Sequence, residues 1–534
     1  MGKNKQKLEL TWIGKDDEYK DIEPRILVEV PEKSYGDKNT ENMLIHGDNL
    51  LALKALEQDY TGKIKCIYID PPYNTGSAFE HYDDNVEHSK WLSLMKSRLE
   101  ILKTLLANDG VIFVQIDNNE HAYLKILMDE IFGRNNFITD IVWRKKSGGG
   151  QTSEHFAIEH EYIFVYKKNN WQIIDEKEDY KIEEFSKTIN NKPAKIMKLE
   201  KWGNSAYRED RPSLYYSIKN PDGIDFFPKA PDGKEGRWRK KPESLDDKHI
   251  YWEKRNNEWK PYEVIYFDEV TQRVLKTRTI WLEYGNNTEA ANEMKQLFKI
   301  KDFATPKPEK LIEKILNIST REGDLVLDSF LGSGTTAAVA HKMGRKWIGI
   351  ELGDHCYTHC QTRLNAVIDG IDITGISKTV NWQGGGGYKF YELAPSLLKK
   401  DEFDNWIIEP KYDAEMLAEA MAKHEGYKFS PDENNIYKQG FSTEKDFIFT
   451  TTQFLSVDLL NNIHNKLEKD ESLLICATHF EEGVGSQFDN ITVKKIPQIL
   501  LNRCEFGRLE YNLNIIEEAK PEDFEEDEII EDEK

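Results

Sequence analysis

The 534-residue sequence contains no hydrophobic run that approaches the roughly 18 residues needed to span a bilayer. Its first seven residues are polar, so the start of the chain lacks the apolar segment of a secretory signal. Only five cysteines are present, and their odd number and wide scatter give no disulfide framework. These absences predict a chain that is not inserted in a membrane, is not exported, and keeps its thiols reduced in a cytoplasm.

An acidic, proline-stiffened loop follows the apolar run 64–69 and reads Asp70-Pro71-Pro72-Tyr73. Two prolines fix φ and remove backbone donors, so the Asp70 carboxylate and the Pro71 carbonyl are held as acceptors. Tyr73 offers a ring on which a nucleobase can stack. Because an amino group on a base is a poor nucleophile until acceptors hold its two hydrogens, the loop is typical of a site that methylates such a group. Asp-Pro is also ordinary turn chemistry, so a simple turn is the alternative.

A second candidate site combines an apolar strand, a glycine turn and a helix over residues 325–343. Gly332 and Gly334 allow backbone N–H groups to approach a ligand, and the N-terminus of the following helix favours a negative group. The next strand, 346–351, ends in Glu351 about 20 residues after the turn begins, where an acid usually binds ribose hydroxyls. The pattern predicts a binding site for a nucleotide-like cofactor.

Two classes of cofactor fit this second site. Residues 332–337 satisfy the loose dinucleotide fingerprint, so a nicotinamide dehydrogenase is one interpretation. Asp328, at the end of the strand, would instead suit the ammonium of S-adenosylmethionine, and no part of the sequence resembles a hydride-transfer site. A Walker loop is excluded because no Gly-Lys-Ser/Thr follows the glycines. We therefore favour S-adenosylmethionine.

The order of the two sites resembles that of amino-group DNA methyltransferases of the β arrangement, in which the Asp-Pro-Pro-Tyr half precedes the cofactor half. The stretches that carry the resemblance are 44–53, 70–76, 305–311, 328–336 and 384–391. The last of them, Gly-Gly-Gly-Gly-Tyr-Lys-Phe-Tyr, points more narrowly to the modification (Mod) subunit of type III restriction-modification systems.

The resemblance implies methylation of adenine N6 in double-stranded DNA, on a base flipped out of the duplex. Aspartate rather than serine at position 70 favours adenine N6 over cytosine N4. The residues implied to hold the flipped base are Asp70, Pro71, Pro72 and Tyr73. Those implied to line S-adenosylmethionine are Asp48, Asn49, Thr305, Lys307, Asp328, Phe330, Gly332, Gly334, Thr335 and Glu351.

Net positive charge, which DNA-binding proteins usually carry, is missing: the formal charge is −22. Residues 401–534 hold 32 acids and 13 bases, so most of the excess lies there. Like-charge repulsion from phosphates predicts that this segment binds protein rather than DNA. Residues 191–280, by contrast, carry 20 bases and 15 acids, and we expect them to face DNA through a cluster formed by Arg237, Arg239, Lys240 and Lys241.

Taken together, these features predict an α/β protein with a Rossmann-like, S-adenosylmethionine-dependent methyltransferase sheet assembled from two chain segments. The predicted catalytic half is 45–170 and the predicted cofactor half is 296–372. A β-rich target-recognition domain is predicted between them at 171–295, and an acidic α/β domain with an acidic tail at 401–534. The remaining segments are predicted to be an N-terminal extension, 1–44, and a flexible linker, 373–400.

The resemblance also implies partners: double-stranded DNA, a second copy of the chain, and a larger restriction subunit that carries ATP-dependent translocation and nuclease activity. Because this chain has no Walker loop, it cannot itself be the motor. Two alternatives remain open. One is a stand-alone adenine-N6 or cytosine-N4 methyltransferase, and the other is a DNA-binding scaffold without catalytic activity.

A metal site can be considered at His355, Cys356, His359 and Cys360, since each pair is spaced i, i+4. No second Cys/His pair at finger spacing accompanies them. We therefore expect the two cysteines to be small core residues on one helix face, and no metal.

Overall fold

The computed structural model describes residues 9–15, 21–73, 84–148, 156–270, 272–298, 305–501 and 504–506. It divides into two compact units, one of residues 1–174 and 278–534 and the other of residues 175–277. Loop positions 74–76 and the acidic tail 517–534 lie outside the described residues.

The larger unit is built on a mixed sheet that has eleven strands in the described residues. We number these strands in chain order: β1 (Leu27–Glu29), β2 (Tyr35–Gly36), β3 (Met43–His46), β4 (Ile64–Ile69), β5 (Leu106–Ile116), β6 (Phe137–Arg144), β7 (His160–Lys167), β8 (Ile280–Trp281), β9 (Leu325–Asp328), β10 (Lys346–Glu351) and β11 (Gly387–Leu393).

The strand order across the sheet is β8-β6-β7-β5-β4-β9-β10-β3-β11-β1, and β2 also pairs with β11. The six strands that lie side by side in the order β5-β4-β9-β10-β3-β11 are all parallel to their neighbours. Strand β7 runs antiparallel to both of its neighbours, β5 and β6. The central strands are continuous apolar runs because helices cover both faces of the sheet. The predicted α/β sheet, assembled from chain segments that are far apart in the sequence, is therefore confirmed.

Nine α-helices lie in the described residues. They are α1 (Asn49–Tyr60), α2 (Asp84–Leu105), α3 (His121–Met128), α4 (Asn287–Phe298), α5 (Glu309–Ser319), α6 (Thr335–Lys342), α7 (Thr362–Ile368), α8 (Ala414–Glu425) and α9 (Val457–His464). Residues of α1, α2 and α3 share one buried apolar cluster with one face of the central strands, and residues of α5, α6 and α7 share a second cluster with the other face. None of the helices in the described part of the chain is long and apolar enough to cross a membrane.

The smaller unit, residues 175–277, is rich in β-structure, as predicted. Its four-stranded antiparallel sheet has the order Lys187–Ile189, Lys192–Lys198, Glu258–Tyr266, Ile250–Arg255. Two further strand pairs are Glu176–Asp179 with Gln272–Leu275 and Ile218–Lys219 with Asp225–Phe226. The unit is narrower than the predicted 171–295, because the chain from Arg278 onward belongs to the larger unit, where β8 pairs with β6.

The C-terminal segment has its own five-stranded sheet, in the order Lys428–Phe429, Gly440–Thr443, Asp446–Thr451, Ser472–Ala477, Ile491–Lys495. The third and fourth strands of this sheet pair in parallel and are joined by α9, so the segment has α/β structure, as predicted. The segment was predicted to be a separate domain, but it belongs to the larger compact unit. Its residues Leu417 and Ile448 share one buried cluster with Ile26 and Leu397, which ties it to the rest of the unit.

The predicted N-terminal extension and linker both contribute strands to the central sheet. β1 and β2 belong to the first, and β11 begins inside the glycine run 384–387. A Cβ at Gly387 would lie 2.3 Å from the Asp37 nitrogen, and a Cβ at Gly386 would lie 2.8 Å from His341 Nε2. The prediction of a flexible connector is therefore wrong for this run, because its glycines permit close backbone packing.

This packing predicts that Gly387→Ala destabilises the larger unit by about 1–3 kcal/mol, because the new methyl group overlaps the Asp37 backbone. Neither backbone segment can move away without disturbing the pairing of β2 with β11. Urea unfolding followed by circular dichroism measures the change. Gly485→Ala is the matched control, since a Cβ there meets no atom within 4 Å. Equal free energies of unfolding for the two variants would contradict the packing argument.

Candidate active site

The Asp-Pro-Pro-Tyr loop and the glycine turn leave neighbouring strands of the central sheet. β4 and β9 are parallel and directly paired, with Cys66 opposite Val326 and Ile67 opposite Leu327. The carboxyl ends of parallel strands meet at one edge of a sheet, where α/β folds bind ligands. The Asp70 loop and the glycine turn therefore lie at the same edge of the sheet.

Asp70 is held by two groups from different parts of the chain. The Lys307 ammonium donates to Asp70 Oδ2 at 2.5 Å, and the Tyr73 hydroxyl donates to Asp70 Oδ1 at 2.7 Å. Lys307 was predicted to line the cofactor, but this contact is with Asp70, and the Lys307 side chain is only 8% exposed. The carboxylate that the sequence singles out is therefore fixed at both oxygens.

A second carboxylate, Glu161 of β7, faces the same two groups. Its Oε2 lies 3.0 Å from the Tyr73 hydroxyl and 3.9 Å from the Lys307 ammonium. Gln115 of β5 donates to Glu161 Oε2 at 2.5 Å, and Lys145 donates to Glu161 Oε1 at 3.2 Å. The residues around Asp70 thus form one hydrogen-bonded network of alternating charge.

Burial and charge act in opposite directions on this network. Desolvation raises the pKa of Asp70, while the Lys307 ammonium lowers it and the Glu161 carboxylate raises it further. Desolvation alone would lower the pKa of Lys307, but the two carboxylates raise it overall. For Glu161, desolvation is outweighed by Lys307 and Lys145, so its pKa is lowered. Lys307 is therefore the cation that both acids share.

The backbone of the loop formed by residues 70–73 is fixed by Trp91 of α2. Its indole N–H donates to the Pro72 carbonyl at 2.8 Å, and the side chain is 1% exposed. With two rigid prolines before this bond, the loop has little freedom to rotate its peptide planes. Trp91 lies outside the residues that the sequence predicted for the site.

The glycine turn surrounds a buried acid. Asp328 accepts from the Phe330 N–H at 2.9 Å and from the Thr336 hydroxyl at 2.6 Å. Burial raises its pKa to about 7. Gly334, which precedes α6, has φ +81°, a conformation that glycine adopts without strain.

Glu351 closes the other side of the turn. It accepts from the Gly332 N–H at 2.7 Å and from the Gly353 N–H at 2.9 Å. The buried hydroxyl of Ser329 has no hydrogen-bond partner among the described residues. Glu351 therefore joins the end of β10 to the glycine turn, and the Ser329 hydroxyl, which the sequence did not single out, lies beside the same turn.

Several of the other predicted cofactor residues make structural contacts. Asp48 caps α1 by accepting from two backbone N–H groups and also pairs with Arg98 at 3.3 Å. The Asn49 amide donates to the Ser329 carbonyl at 2.7 Å, which ties α1 to the glycine turn. The Thr335 hydroxyl accepts from Arg363 at 2.8 Å, and Thr305 is exposed. Among these residues Asn49 has the clearest link to the turn.

A fully buried cluster of charged side chains joins helices α5, α6 and α7 of the predicted cofactor half. Glu309 of α5 accepts from Lys342 of α6 at 2.8 Å and from Arg363 of α7 at 2.8 Å. Lys342 also pairs with Asp372 at 2.7 Å. Because breaking a buried pair leaves an uncompensated charge, this cluster fixes the three helices relative to one another.

The residues predicted to contact DNA lie in the smaller unit and differ in their surroundings. Arg237 is buried and donates to the carbonyls of Ser205 and Trp238, so it stabilises the backbone of this unit. The prediction that Arg237 contacts DNA is therefore wrong. Lys240 pairs with Glu263 at 2.5 Å. Only Arg239 and Lys241 are exposed.

The cysteines considered for a metal site are core residues, as expected. Cys356 and Cys360 are fully buried in the apolar cluster beneath α6 and α7. Burial raises the pKa of both thiols far above the ordinary range, which disfavours the thiolate that a metal requires. Within the described ranges, no group of three or more His, Cys, Asp or Glu side chains is arranged to hold a metal ion.

Sequence reasoning missed four residues that contact the Asp70 loop or its network: Glu161, Gln115, Lys145 and Trp91. A signal for Glu161 was available, because this acid directly precedes the apolar run 162–166 of the same strand. In the structure only 4% of Glu161 is exposed. Charged residues are rarely buried unless they are paired, so an acid inside such a run indicates a partner.

A family model described as DNA methylase matches residues 64–361, more than half of the chain. The probable type III restriction-modification enzyme HindVI Mod subunit of Haemophilus influenzae is 36% identical, covering 66% of this chain and 54% of the relative. The type III restriction-modification enzyme EcoPI Mod subunit of Escherichia phage P1 is 31% identical, covering 63% and 62%. The type II methyltransferase M.KpnI of Klebsiella pneumoniae is 32% identical, covering 57% and 77%. The chain thus spans just over half to about three fifths of the length of the first two relatives.

The raised pKa of Asp328 predicts a pH-dependent effect on stability. An unfolded aspartate titrates near 3.9, so between about pH 4 and about pH 7 the folded protein binds the extra proton and wild-type stability falls as pH rises. Asp328→Asn removes this proton linkage, and the Thr336 hydroxyl can accept from the new amide. The free energy of unfolding of the variant, relative to wild type, should therefore increase by about 3 kcal/mol between about pH 4.5 and pH 8.

Urea unfolding at a series of pH values measures this difference. Asp489→Asn, at an exposed position, is the control and should follow the wild-type pH dependence. Identical pH dependence in wild type and Asp328→Asn would refute the argument.

Proposed function

The chain belongs to the DNA methylase family, and from this premise we propose that it is a site-specific DNA methyltransferase. The proposed reaction transfers a methyl group from S-adenosylmethionine to N6 of an adenine in double-stranded DNA. The observation that carries the proposal is the direct pairing of β4 with β9, which brings the Asp70 loop and the Asp328 turn to one sheet edge.

The residues of the glycine turn fit S-adenosylmethionine. Its ammonium suits the buried Asp328 carboxylate, its ribose hydroxyls suit Glu351, and its carboxylate suits the N–H groups at the start of α6. The unpartnered Ser329 hydroxyl offers one further polar contact. When bound, the cofactor would supply a methyl group on a sulfonium, and the bond to sulfur would break with the neutral thioether as the leaving group.

The catalytic loop is suited to activate an amino group. We assign the Asp70 carboxylate and the Pro71 carbonyl as acceptors of the two N6 hydrogens, which frees the nitrogen lone pair for attack. The Tyr73 ring offers the face for stacking, while its hydroxyl is fixed by Asp70 and Glu161. The attacking nitrogen then loses one hydrogen as a proton, and we assign the Asp70 carboxylate as its acceptor. Orientation of this kind contributes up to about 7–11 kcal/mol at its favourable limit.

Adenine N6 is proposed over cytosine N4 on the strength of aspartate at position 70. Both amino groups need two acceptors, so the two chemistries differ in the base and not in the mechanism. Nucleoside analysis of methylated DNA distinguishes N6-methyladenine from N4-methylcytosine directly.

We further propose that the chain is the modification and recognition subunit of a type III restriction-modification system, acting in the cytoplasm as a homodimer with an ATP-dependent restriction subunit. The support is the Mod-subunit names of the first relatives. A stand-alone methyltransferase is the second candidate, because M.KpnI, a type II methyltransferase, is also a relative. Co-purification of the full chain with or without a large ATPase separates the two.

Asp70→Ala is expected to abolish methyl transfer while cofactor binding stays within about twofold of wild type, because the acceptor is lost but the Asp328 turn is untouched. The assay follows labelled methyl groups from S-adenosylmethionine into genomic DNA of an unmodified host, and calorimetry measures cofactor affinity. Asp489→Asn serves as a control with full activity. A fully active Asp70→Ala enzyme would remove the role assigned to the loop, and DNA binding without any methyl incorporation by wild type would favour a non-catalytic scaffold.

A double substitution tests the DNA-facing residues of the smaller unit. Arg239→Ala with Lys241→Ala should weaken binding to duplexes of any sequence and reduce the slope of log affinity against log salt by about 2, since each exposed cation neutralises about one phosphate. The matched control removes two exposed lysines from the acidic C-terminal segment, Lys411→Ala with Lys428→Ala. Fluorescence anisotropy at several salt concentrations gives both slopes, and equal slopes would exclude Arg239 and Lys241 from the interface.

A further inference from the structure

Glu161 lies on neither of the two loops that form the proposed site. It comes from β7, which is antiparallel to β5 and two strands away from β4. Glu161 is paired with Trp143 of β6. Its carboxylate lies in the network around Asp70, where it contacts the Tyr73 hydroxyl. No part of the proposed reaction requires it to touch a base or a cofactor.

The contacts of Glu161 nevertheless duplicate those of Asp70. Both carboxylates are within hydrogen-bond distance of the Tyr73 hydroxyl, at 2.7 Å and 3.0 Å, and both attract the Lys307 ammonium, at 2.5 Å and 3.9 Å. A phenol has one proton, so it cannot donate fully to both acids at once. Tyr73 and Lys307 are thus held between two anions rather than by one.

Glu161 is itself fixed on its far side. Gln115 donates to Oε2 at 2.5 Å, and the Tyr68 hydroxyl in turn donates to the Gln115 carbonyl oxygen at 2.6 Å. Lys145 contacts the other oxygen at 3.2 Å. A carboxylate with this many partners has a single orientation, and it transmits that orientation to Tyr73 and Lys307.

We propose that Glu161 is a positioning residue for methyl transfer: it holds the Tyr73 hydroxyl and the Lys307 ammonium in the places from which they fix the Asp70 carboxylate. This inference rests on the proposed function and deepens it. It assigns Lys307 to the orientation of the catalytic acid rather than to the cofactor.

The geometry gives Glu161 and Lys307 opposite effects on the ionisation of Asp70. The groups that face Asp70 are Lys307, Glu161, Tyr73, Tyr68 and Asp328. Asp70 must be ionised to accept amino hydrogens, so activity is lost as pH falls through its pKa. Removing the Glu161 charge removes a repulsion and lowers that pKa, whereas removing the Lys307 charge removes an attraction and raises it.

The experiment compares the pH dependence of kcat for Glu161→Gln and Lys307→Met at saturating cofactor and DNA. Glu161→Gln should lower kcat about tenfold and move the acid limb roughly one unit toward lower pH. Lys307→Met should lower kcat more than Glu161→Gln does, and it should move the acid limb of the pH profile roughly one unit toward higher pH. Cofactor affinity of Glu161→Gln should remain within about twofold of wild type. Glu100→Gln, at an exposed position on α2, is the control with unchanged kcat and limb.

Opposite movements of the two limbs support the proposal. An unmoved limb in Glu161→Gln, whether kcat is normal or reduced, overturns it, because a merely structural role would not change the ionisation of Asp70. Should Glu161→Gln fail to fold, Glu161→Asp keeps the charge but shortens the reach to Tyr73. It must then lower kcat at least tenfold with unchanged cofactor affinity, and full activity would overturn the proposal. Absence of methyl transfer by wild type would instead overturn the proposed function.

Discussion

The pairing of β4 with β9 is the contact on which the proposed site depends, since it makes neighbours of two segments that are far apart in the sequence. Cys66 and Ile67 lie beside Val326 and Leu327 in the middle of the sheet, with helices covering both faces. Parallel strands cannot be joined by a short turn and need long connections. The chain meets that requirement with α2, the antiparallel strands β6 and β7, and a β-rich insertion, so the register of one strand pair decides whether an acid loop and a glycine turn share an edge.

The ionic network around Asp70 illustrates why burial of charge is tolerated here. A buried ion pair often contributes little net stability compared with apolar packing, because both partners lose their hydration. Asp70, Lys307 and Glu161 together carry one excess negative charge, which Lys145 offsets from a more exposed position. An arrangement that is costly in stability but fixed in geometry suits a site in which an acceptor must be aimed at a particular pair of hydrogens.

The sequence predicted the elements of the central sheet well because its signals are local. The apolar run 64–69, the glycine turn and the helix after it each depend on neighbouring residues, and each appears with almost the predicted bounds. The segments predicted as an extension and a flexible linker nevertheless supply strands β1, β2 and β11, whose pairing is not a local signal. The other misses concern where a side chain points and which residue it contacts. Arg237 lies beside exposed Arg239, yet it points inward to backbone carbonyls, and nothing in the local sequence distinguishes the two. Glu161 required knowledge that β7 returns antiparallel beside β5, which is a property of tertiary pairing.

A closed network around Asp70 does not prevent it from receiving a base. A carboxylate has about four acceptor sites on two oxygens, and the Tyr73 hydroxyl and the Lys307 ammonium use one on each. An amino hydrogen can therefore be accepted at a remaining site without displacing either group. The protein donors then serve two purposes: they satisfy the buried acid when no base is present, and they fix the direction of its unused lone pairs. On this argument, the network is formed before the target arrives, and binding of the base requires no rearrangement of the catalytic acid.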